Sequence, residues 1–292
     1  MNSDVSNPFI VSLGEVLWDL FPDGNRFGGA PANFACHATM QGSEVTMLSA
    51  VGMDEPGEEA LVILRRLGVN TLQIQRSEHA ATGTVGVTID ALGKPSFVIH
   101  PNAAWDYIEW TPEMESTVAR AEAVYFGTLS QRSVRSRSTI RQALAIAKSH
   151  RVRRILDVNL RTPFFDDAMI RDSISMASIL KLSDDELPAV TQACGIDSVS
   201  NHEDALRTLL QRFELDLVAM TRGAQGALLL SAYESIDQAG IPAVVSDTVG
   251  AGDAFTAALA IGICSGVSLH CIAENACKIA SATCEYSGAI PS

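Results

Sequence analysis

The chain has 292 residues, of which 47% are hydrophobic, and its formal net charge at pH 7 is −13. This length and apolar content predict a single domain with a large core over residues 1–292. The acidic charge argues against binding to nucleic acid or to an anionic membrane surface. The N-terminus lacks the basic and apolar regions of a signal peptide, and the apolar runs are too short to span a membrane, so we expect a cytoplasmic protein.

The first third of the chain predicts strands that no helix follows. These extended runs are Phe9–Leu20, Thr84–Ile89 and Phe97–His100. The turn residues Gly93-Lys94-Pro95 between the last two runs predict a hairpin. Such strands do not belong in a doubly wound sheet. We therefore expect a small β lid over the ligand crevice, formed by segments near residues 17–30 and 82–105.

From about Val118 onward, strand-like apolar runs alternate with helical patterns. The predicted strands are Ala123–Thr128, Arg154–Val158, Ser178–Leu182 and Leu217–Thr221. The predicted helices are Val134–Lys148, a helix that begins at Asp184, His202–Phe213, Asp253–Cys264 and Leu269–Glu285. Such alternation favours right-handed crossovers, so we expect a mostly parallel central β-sheet flanked by helices on both faces.

The segment Asp247–Phe255 (DTVGAGDAF) places Gly250 and Gly252 directly before an apolar helix. Small residues there let backbone N–H groups converge at a helix N-terminus, where an anion such as a phosphate binds. Asp253 puts a carboxylate inside that anion site, and its charge would repel a phosphate that is merely bound. A base that takes a proton from a hydroxyl as the hydroxyl attacks the phosphate accounts for this carboxylate. The segment therefore predicts a phosphoryl-transfer enzyme.

A second glycine-bearing segment, Gly28–Ala35 (GGAPANFA), predicts a turn and then a helix with Pro31 in its first turn. Asn33 lies within the first turn, where its amide suits either sugar hydroxyls or ordinary helix capping. Asp19, at the end of the first predicted strand, can accept two hydroxyl hydrogen bonds or start a turn. Both interpretations of each residue stay open from these segments alone.

Three further polar segments follow predicted strands: Asp157–Arg161 (DVNLR), Lys181–Glu186 (KLSDDE) and Thr221–Gly226 (TRGAQG). Polar side chains at the carboxyl ends of parallel strands project into the crevice where open α/β sheets bind ligands. Glu186 is a candidate to hold Mg²⁺ through water, whereas capping of a helix accounts for the acidic residues before it. The glycine-bounded turn after Thr221 fits a nucleotide site and a simple hairpin equally well.

Three common nucleotide-binding signatures are absent from the sequence. It contains no GxxxxGK[ST] loop, no GxGxxG fingerprint and no protein-kinase HRD and DFG pair. An ATP-like ligand would need a different binding loop, and local groups would have to attract it against the acidic charge of the whole chain.

Taken in this order, the segments resemble the carbohydrate kinases of the ribokinase-like (PfkB) family over nearly the whole chain. GGAPANFA is similar to the N-terminal signature of the family, and Asp247–Asp253 to its DTxGAGD signature. GGAPANFA, the DxNxR pattern and KLSDDE are most similar to the fructokinase group. The resemblance implies a ribokinase-like α/β fold, ATP and Mg²⁺ as ligands and, as in many members, a monovalent cation such as K⁺.

The resemblance also implies roles for individual residues. Asp253 would be the catalytic base beside an anion hole formed by the backbone of Gly250, Ala251 and Gly252. The sugar side would comprise Asp19, Gly28, Gly29, Asn33, Phe97, Asn159 and Arg161. The nucleotide side would comprise Lys181, Thr221, Gly223, Gly226 and Asn275. The metal sites would comprise Glu186 for Mg²⁺, through water, and Asp247 with Gly288 for the monovalent cation.

We expect transfer of the ATP γ-phosphate to a primary hydroxyl of a free hexose, with fructose converted to fructose 6-phosphate. A kinase of the same family for 2-keto-3-deoxygluconate or another sugar is the nearest alternative, because Arg161 suits a carboxylate bidentately. A nucleoside kinase is less expected, because few aromatic residues lie near Asp19 and Asn33. A non-catalytic sugar or nucleotide sensor would have lost the base or the glycines. Exposed lid strands favour a homodimer through the lid.

Overall fold

A computed structural model describes residues 7–89, 95–196 and 201–291. Its strands are β1 Phe9–Leu13, β2 Leu17–Phe21, β3 Gly24–Gly28, β4 Glu44–Gly52, β5 Ile74–Ser77, β6 Gly83–Ile89, β7 Pro95–Ile99, β8 Ala123–Gly127, β9 Arg153–Asp157, β10 Ile179–Ser183, β11 Leu217–Thr221, β12 Ala227–Ser231 and β13 Ser235–Gln238. Its α-helices are α1 Ala30–Met40, α2 Glu55–Arg66, α3 Pro112–Arg120, α4 Val134–Ser149, α5 Asp167–Met176, α6 Leu187–Ala193, α7 His202–Arg212, α8 Ala251–Cys264 and α9 Leu269–Thr283.

The main sheet has nine strands in the order β13-β12-β11-β10-β9-β8-β1-β4-β5. Within this sheet, as far as the structure describes it, the strands from β11 to β5 in this order pair in parallel, and the β11–β12 and β12–β13 pairs are antiparallel. Parallel strands in such sheets are covered on both faces, and β1, β4, β8 and β10 are correspondingly buried at nearly every position. The prediction of a mostly parallel central sheet is confirmed.

A hydrophobic core lies on each face of the main sheet. Helices α3 to α7 pack on one face, where the core includes Ile140, Leu144 and Leu206. Helices α1, α2, α8 and α9 pack on the other face, where the core includes Phe34 and Phe255. Helices α1 and α8 also contact each other. Because α1 and α8 carry the two glycine-bearing signatures, this packing brings the N-terminal and C-terminal segments together.

A second sheet has the order β3-β2-β6-β7 and lies in the segments where we expected a lid; we call these four strands the lid sheet. The antiparallel β6–β7 pair agrees with the predicted hairpin, while its turn residues Gly93 and Lys94 lie outside the described residues. The strand β7 is at the edge of the sheet, where Phe97 and Val98 are 51% and 57% exposed. Whether this sheet closes over a ligand stays a prediction.

The prediction of one long strand over Phe9–Leu20 is wrong. The chain leaves the main sheet after Leu13 and continues as β2 in the lid sheet. Gly14 permits the break. Its φ is +151°, and a Cβ at this position would lie 2.5 Å from the Pro31 side chain and 2.6 Å from the Ser130 hydroxyl. Consequently, Asp19 lies within β2 of the lid sheet, not at the end of the first strand.

The first third also contributes more to the main sheet than its sequence indicated. The strand β4 and the short strand β5 extend the sheet beyond β1, with helix α2 between them in the sequence.

The prediction of a helix that begins at Asp184 is also corrected, because α6 begins at Leu187. A turn precedes it, in which the Glu186 and Leu187 N–H groups donate to the Ser183 and Asp184 carbonyls. Within the described residues, none of the helices is both long and apolar enough to cross a membrane.

Candidate active site

A cavity of about 480 Å³ lies between the lid sheet and the carboxyl ends of the central strands. Ten of the residues predicted for the site line it, namely Asp19, Gly29, Asn33, Phe97, Asn159, Arg161, Lys181, Gly250, Gly252 and Asp253. Nine other lining residues are Glu15, Leu17, Ala30, Val85, Ile99, Leu129, Asp157, Thr248 and Val249. The structure thus brings together segments from both ends of the chain at one concave site.

The start of α8 forms one wall of the cavity. Gly250 precedes the helix in a left-handed conformation (φ +82°), and a Cβ at this position would lie 2.6 Å from the Ala289 carbonyl oxygen. Only glycine therefore fits both the backbone conformation and the space. The Ala251 N–H donates to the Thr248 carbonyl at 3.3 Å, and Ala251 does not line the cavity in the structure. The N-terminus of α8, which is the positive end of the helix dipole, adjoins the cavity, since Gly250, Gly252 and Asp253 line it.

Asp253 lies in the first turn of α8 and is 9% exposed. The Asn33 amide Nδ2 donates to its Oδ2 at 2.9 Å. Burial and the nearby Asp157 carboxylate raise the pKa of Asp253 to about 7, against the opposing effect of the Asn33 hydrogen bond. A carboxyl group with this pKa can accept a proton near neutral pH, which is what a general base requires.

Asn33 lies one turn into α1, as predicted, and is 5% exposed. Its Nδ2 is bonded to Asp253, whereas its buried Oδ1 has no hydrogen-bond partner within the described residues. A buried acceptor without a partner destabilises the fold by about 1–3 kcal/mol. A ligand hydroxyl or a water that donates to Oδ1 would remove that penalty.

A buried ion pair lies behind the predicted anion site. The Lys181 ammonium donates to both carboxylate oxygens of Asp157 at 3.0 and 3.1 Å. The Thr256 hydroxyl lies 3.3 Å from the same carboxylate and donates to the Gly252 carbonyl at 2.8 Å. Burial disfavours the ammonium, but the surrounding carboxylates, Asp157 first, outweigh it and raise the pKa of Lys181. Because a Cβ on Gly252 would lie 3.2 Å from Nζ, this ammonium adjoins the predicted anion site.

Asp19 reaches the cavity from the lid sheet, where it is paired with Arg26 in the β2–β3 register. Burial raises its pKa to about 6, although Arg161 and Arg26 oppose this shift. Gly28 adjoins Asp19 without lining the cavity, since a Cβ there would lie 2.9 Å from the Asp19 carboxylate. Gly29 (φ +106°) packs against the Glu15 carbonyl, and a Cβ there would lie 2.6 Å from that oxygen.

Glu15 is a lining residue that the sequence did not single out. It is 3% exposed, lies between β1 and β2, and accepts a hydrogen bond from the Ser130 hydroxyl. Burial raises its pKa, with the Ser130 hydrogen bond opposing the shift. The adjacent Gly14, which could have marked the end of a strand, was the only local signal. Its hydrogen-bond partner Ser130 is 115 residues away in the sequence, so the contact between them has no local sequence signal.

Four residues predicted for the nucleotide side do not line the cavity. Thr221 ends β11, and Gly223 and Gly226 lie in the tight connection to the antiparallel β12, which is a hairpin. Gly226 is also required by packing, since a Cβ there would lie 2.1 Å from the Gln238 carbonyl oxygen. Asn275 is exposed on α9, which packs against β12 and β13. These residues lie toward the β11–β13 edge of the sheet, so their role in nucleotide binding stays a prediction.

The predicted metal residues lie outside the cavity lining. The two carboxylate oxygens of Glu186 accept the Leu160 N–H at 2.7 Å and the Ser183 N–H at 2.8 Å. The Asp247 carboxylate accepts the Gly288 N–H at 3.0 Å, so the two residues predicted for a monovalent cation are in contact. Across residues 7–89, 95–196 and 201–291, no three His, Cys, Asp or Glu side chains converge as ligands for one metal ion. Each carboxylate keeps further lone pairs, which suits indirect binding through water.

Comparison with known proteins shows the family to which the chain belongs. Residues 21–292 match the pfkB family of carbohydrate kinases, and the chain therefore belongs to that family and is a phosphotransferase with an alcohol acceptor. It is similar to fructokinase-2 of Oryza sativa subsp. japonica, with 29% identity over 279 residues that cover 89% of this chain and 81% of that protein.

Solved structures of sugar kinases share the fold. An uncharacterised sugar kinase from Pyrococcus horikoshii is 28% identical, with a TM-score of 0.82 over 96% of this chain and 93% of that chain. A fructokinase from Xylella fastidiosa, solved with bound ATP, has a TM-score of 0.85 over 97% of this chain and 95% of that chain. At 20% identity, the second likeness concerns the fold alone. The ribokinase-like α/β fold predicted from the sequence is confirmed.

Proposed function

We propose that this kinase transfers the γ-phosphoryl group of ATP to a primary hydroxyl of free fructose, giving fructose 6-phosphate and ADP. The observation that carries the chemistry is the buried Asp253 carboxylate, which Asn33 holds at the N-terminus of α8 inside the cavity. The choice of fructose is supported by the relatives, since several curated proteins that are 28–29% identical to this chain are named fructokinases.

Asp253 accepts the proton of the attacking hydroxyl. The hydroxyl oxygen forms a bond to the γ-phosphorus, while the bond from that phosphorus to the β–γ bridging oxygen breaks and its electron pair stays on ADP. With a pKa of about 7, a large fraction of Asp253 is ionised and ready to accept a proton near neutral pH. Such a positioned base typically accelerates a reaction by about 10²–10⁴-fold.

The transferred phosphoryl group would bind at the start of α8. The N–H groups of Gly252 and Asp253 would donate to it, because those of Ala251 and Ala254 already donate to the Thr248 and Gly250 carbonyls. The helix dipole favours its negative charge. Lys181 adds a full positive charge at the same place, because Asp157 keeps it protonated and holds it beside Gly252. Mg²⁺ bound with ATP would neutralise charge on the β- and γ-phosphates. Glu186, already oriented by two backbone N–H groups, is the residue we propose to hold the ion through water.

The charge of the cavity favours a neutral sugar. Its lining contains four carboxyl groups, those of Glu15, Asp19, Asp157 and Asp253, and two cations, those of Arg161 and Lys181. The free Oδ1 of Asn33 and the carboxylate of Asp19 both accept hydrogen bonds. Acceptors in excess over donors match the many O–H donors of a hexose, and the ionised members of this set would repel the carboxylate of an acid sugar.

We also propose sites for the nucleotide and for a monovalent cation, although their residues do not line the cavity. Adenosine would lie beyond the phosphates, toward Thr221, the Gly223–Gly226 turn and Asn275, near the edge of the main sheet. A monovalent cation such as K⁺ would lie near Asp247 and Gly288, whose contact brings the C-terminal segment to the start of the anion site.

An acid sugar such as 2-keto-3-deoxygluconate is the second candidate substrate. Arg161 lines the cavity and is exposed, and the only hydrogen bond of its side chain within the described residues is a 3.3 Å contact from Nη1 to the Leu160 carbonyl. Its guanidinium is therefore available to a carboxylate in bidentate geometry. We rank this substrate below fructose because of the excess of carboxyl groups in the cavity.

The test is ADP release with ATP and Mg²⁺ across fructose, glucose, ribose, 2-keto-3-deoxygluconate and adenosine. The proposal expects the highest kcat/KM with fructose, and Arg161→Gln should lower it less than it lowers kcat/KM with 2-keto-3-deoxygluconate. Highest turnover with 2-keto-3-deoxygluconate, lost in Arg161→Gln, would replace the substrate and keep the mechanism. Highest turnover with adenosine would indicate a nucleoside kinase. Tight sugar binding with no turnover on any compound would favour the non-catalytic sensor.

We also propose a homodimer that forms through the lid sheet. The edge strand β7 exposes Phe97 and Val98, and an unpaired edge can accept a second copy of the chain. Light scattering after size-exclusion chromatography should give twice the chain mass. Val98→Lys, which places a charge on that edge, should shift the mass to that of one chain.

A further inference from the structure

Helix α1 contacts the anion site twice, on one face and one turn apart. Asn33 bonds to Asp253, and His37, four residues later, lies 2.8 Å from the Ala289 carbonyl through its Nε2. Residues four apart on a helix project from the same side. The Asn33 contact belongs to the proposed chemistry, whereas the His37 contact lies outside it.

The His37 contact is fixed in direction. A carbonyl only accepts hydrogen bonds, so Nε2 must carry the hydrogen and donate it. His37 is 3% exposed and Ala289 is 4% exposed, so water does not compete for this bond. Burial lowers the pKa of His37, with the Ala289 hydrogen bond opposing the shift, which favours the neutral ring with hydrogen on Nε2.

Ala289 in turn touches the anion site. A Cβ built on Gly250 would lie 2.6 to 2.9 Å from the carbonyl oxygen, Cα and Cβ of Ala289, so the two backbones are in direct contact. The preceding residue, Gly288, is held by Asp247 at the start of the same loop. The short C-terminal segment is thus fixed to the loop by Asp247 and to α1 by His37, with Gly250 packed against it.

We infer that His37 is a positioning residue, which holds the backbone of the anion site in register with the sugar-binding end of α1 through Ala289. The inference rests on the proposed kinase chemistry. Asn33 sets the distance from α1 to the base, and His37 sets the distance from α1 to Gly250, which begins the phosphate-binding turn. Helix α1 therefore fixes the positions of both the base and the phosphate-binding turn. Errors of about 1 Å in such positioning can lower a rate by about 10²-fold.

The test compares His37→Phe with His37→Gln. Phenylalanine keeps an aromatic ring but removes the donor, so the buried Ala289 carbonyl loses its partner, whereas glutamine keeps an N–H at a similar reach. Gln41→Ala is the control, because it removes a side-chain hydrogen bond to the His37 carbonyl on the same helix without touching Ala289. Thermal unfolding of all three variants separates lost stability from lost positioning.

Amide hydrogen exchange is measured first, because it needs no turnover. In His37→Phe we expect faster exchange in peptides that cover residues 247–254 and 286–291, with His37→Gln and Gln41→Ala close to wild type. In steady-state assays, kcat of His37→Phe should fall about tenfold or more while sugar KM changes less than about twofold. His37→Gln should recover most of the rate.

The outcomes separate the two proposals. If wild type turns over no sugar, the proposed function fails, and the exchange data still decide whether His37 fixes the anion loop. If exchange in the loop is unchanged in His37→Phe, or if kcat is unchanged at equal folded fraction, His37 is not a positioning residue. Equal loss of kcat in His37→Phe and His37→Gln would also overturn the inference, because it would show that the donor is not what matters.

Discussion

The side chains of Asn33 and Asp253 are 220 residues apart in the sequence and 2.9 Å apart in the structure. The bond joins the first turn of α1 to the first turn of α8, so the two glycine-bearing segments act as one site. It leaves one Asp253 oxygen outside the Asn33 bond and leaves the Asn33 Oδ1 without a partner in the described structure. A sugar hydroxyl placed between them could donate to the base and be oriented by the amide.

The pH dependence of kcat/KM is predicted from the ionisation of this base. Asp253 must be deprotonated to accept a proton, so kcat/KM should rise with pH and reach half its plateau near the Asp253 pKa of about 7. Ionisation of Asp19, whose pKa is about 6, would produce a similar rise of kcat/KM with pH. Steady-state assays of Asp19→Asn should therefore keep a midpoint near 7, although KM for the sugar rises. A profile that is flat through this range in wild type would exclude Asp253 as the titrating base.

Stability should depend on pH in the opposite sense. The pKa of Asp253 is raised from 3.8 to about 7 in the folded protein, so the native state binds more protons than the unfolded state between these values. The free energy of unfolding therefore falls as pH rises through this window, by up to about 4 kcal/mol from this group. Asp253→Asn, which does not titrate, should unfold at a higher temperature than wild type near pH 8.

Thermal unfolding near pH 8 and near pH 4.5 checks this prediction. The difference between Asp253→Asn and wild type should shrink at the lower pH, where the buried carboxyl is protonated. Asp19→Asn is a matched control, because its parent residue has a pKa of only about 6 and should give a smaller difference. An Asp253→Asn variant that is less stable than wild type near pH 8 would contradict the account.

The buried pair of Lys181 and Asp157 should separate stability from activity. Lys181→Met leaves Asp157 buried without its cation, which should lower the free energy of unfolding by about 3–5 kcal/mol. The double variant Lys181→Met with Asp157→Asn removes both charges and should recover much of that stability. Turnover should stay low in both variants, because the cation beside Gly252 is absent.

Denaturant unfolding and ADP release from the two proteins are the measurements. If the double variant recovers activity together with stability, then Lys181 serves only to neutralise Asp157. A single variant with unchanged stability would show that the pair is not buried in the way described.

Local patterns in the sequence predicted the second half of the fold well. The apolar runs that became β8 to β11 and the periodic helices α4 and α7 were placed within about two residues of their ends, because each is short, regular and bounded by turn residues. The sequence does not reveal the break at Gly14, because the apolar run continues through it. Hydrophobicity reports that a strand is buried and does not report which sheet it joins.

The site was predicted partly from the residues and partly from the family resemblance. The glycines before α8 and the carboxylate after them indicated an anion site and a base on chemical grounds. The roles of Arg161 and of Asp247 with Gly288 came from the resemblance alone, whereas for Asp19 and Glu186 the residues themselves left a functional and a structural interpretation open. Contacts between distant segments had no local signal, and these include Lys181 with Asp157, Glu15 with Ser130 and His37 with Ala289. Only the packing of α1 against α8 and the order of the strands bring such pairs together.

The most direct test of the central claim compares Asp253→Asn with wild type in two assays, ADP release with saturating fructose and fructose affinity by calorimetry. Asparagine has nearly the shape of aspartate and its oxygen can still accept the Asn33 hydrogen bond, but it cannot take a proton. The account predicts a fall in kcat of at least about 10²-fold, with the fructose Kd within about threefold of wild type. Turnover by Asp253→Asn close to the wild-type rate would contradict the assignment of Asp253 as the base.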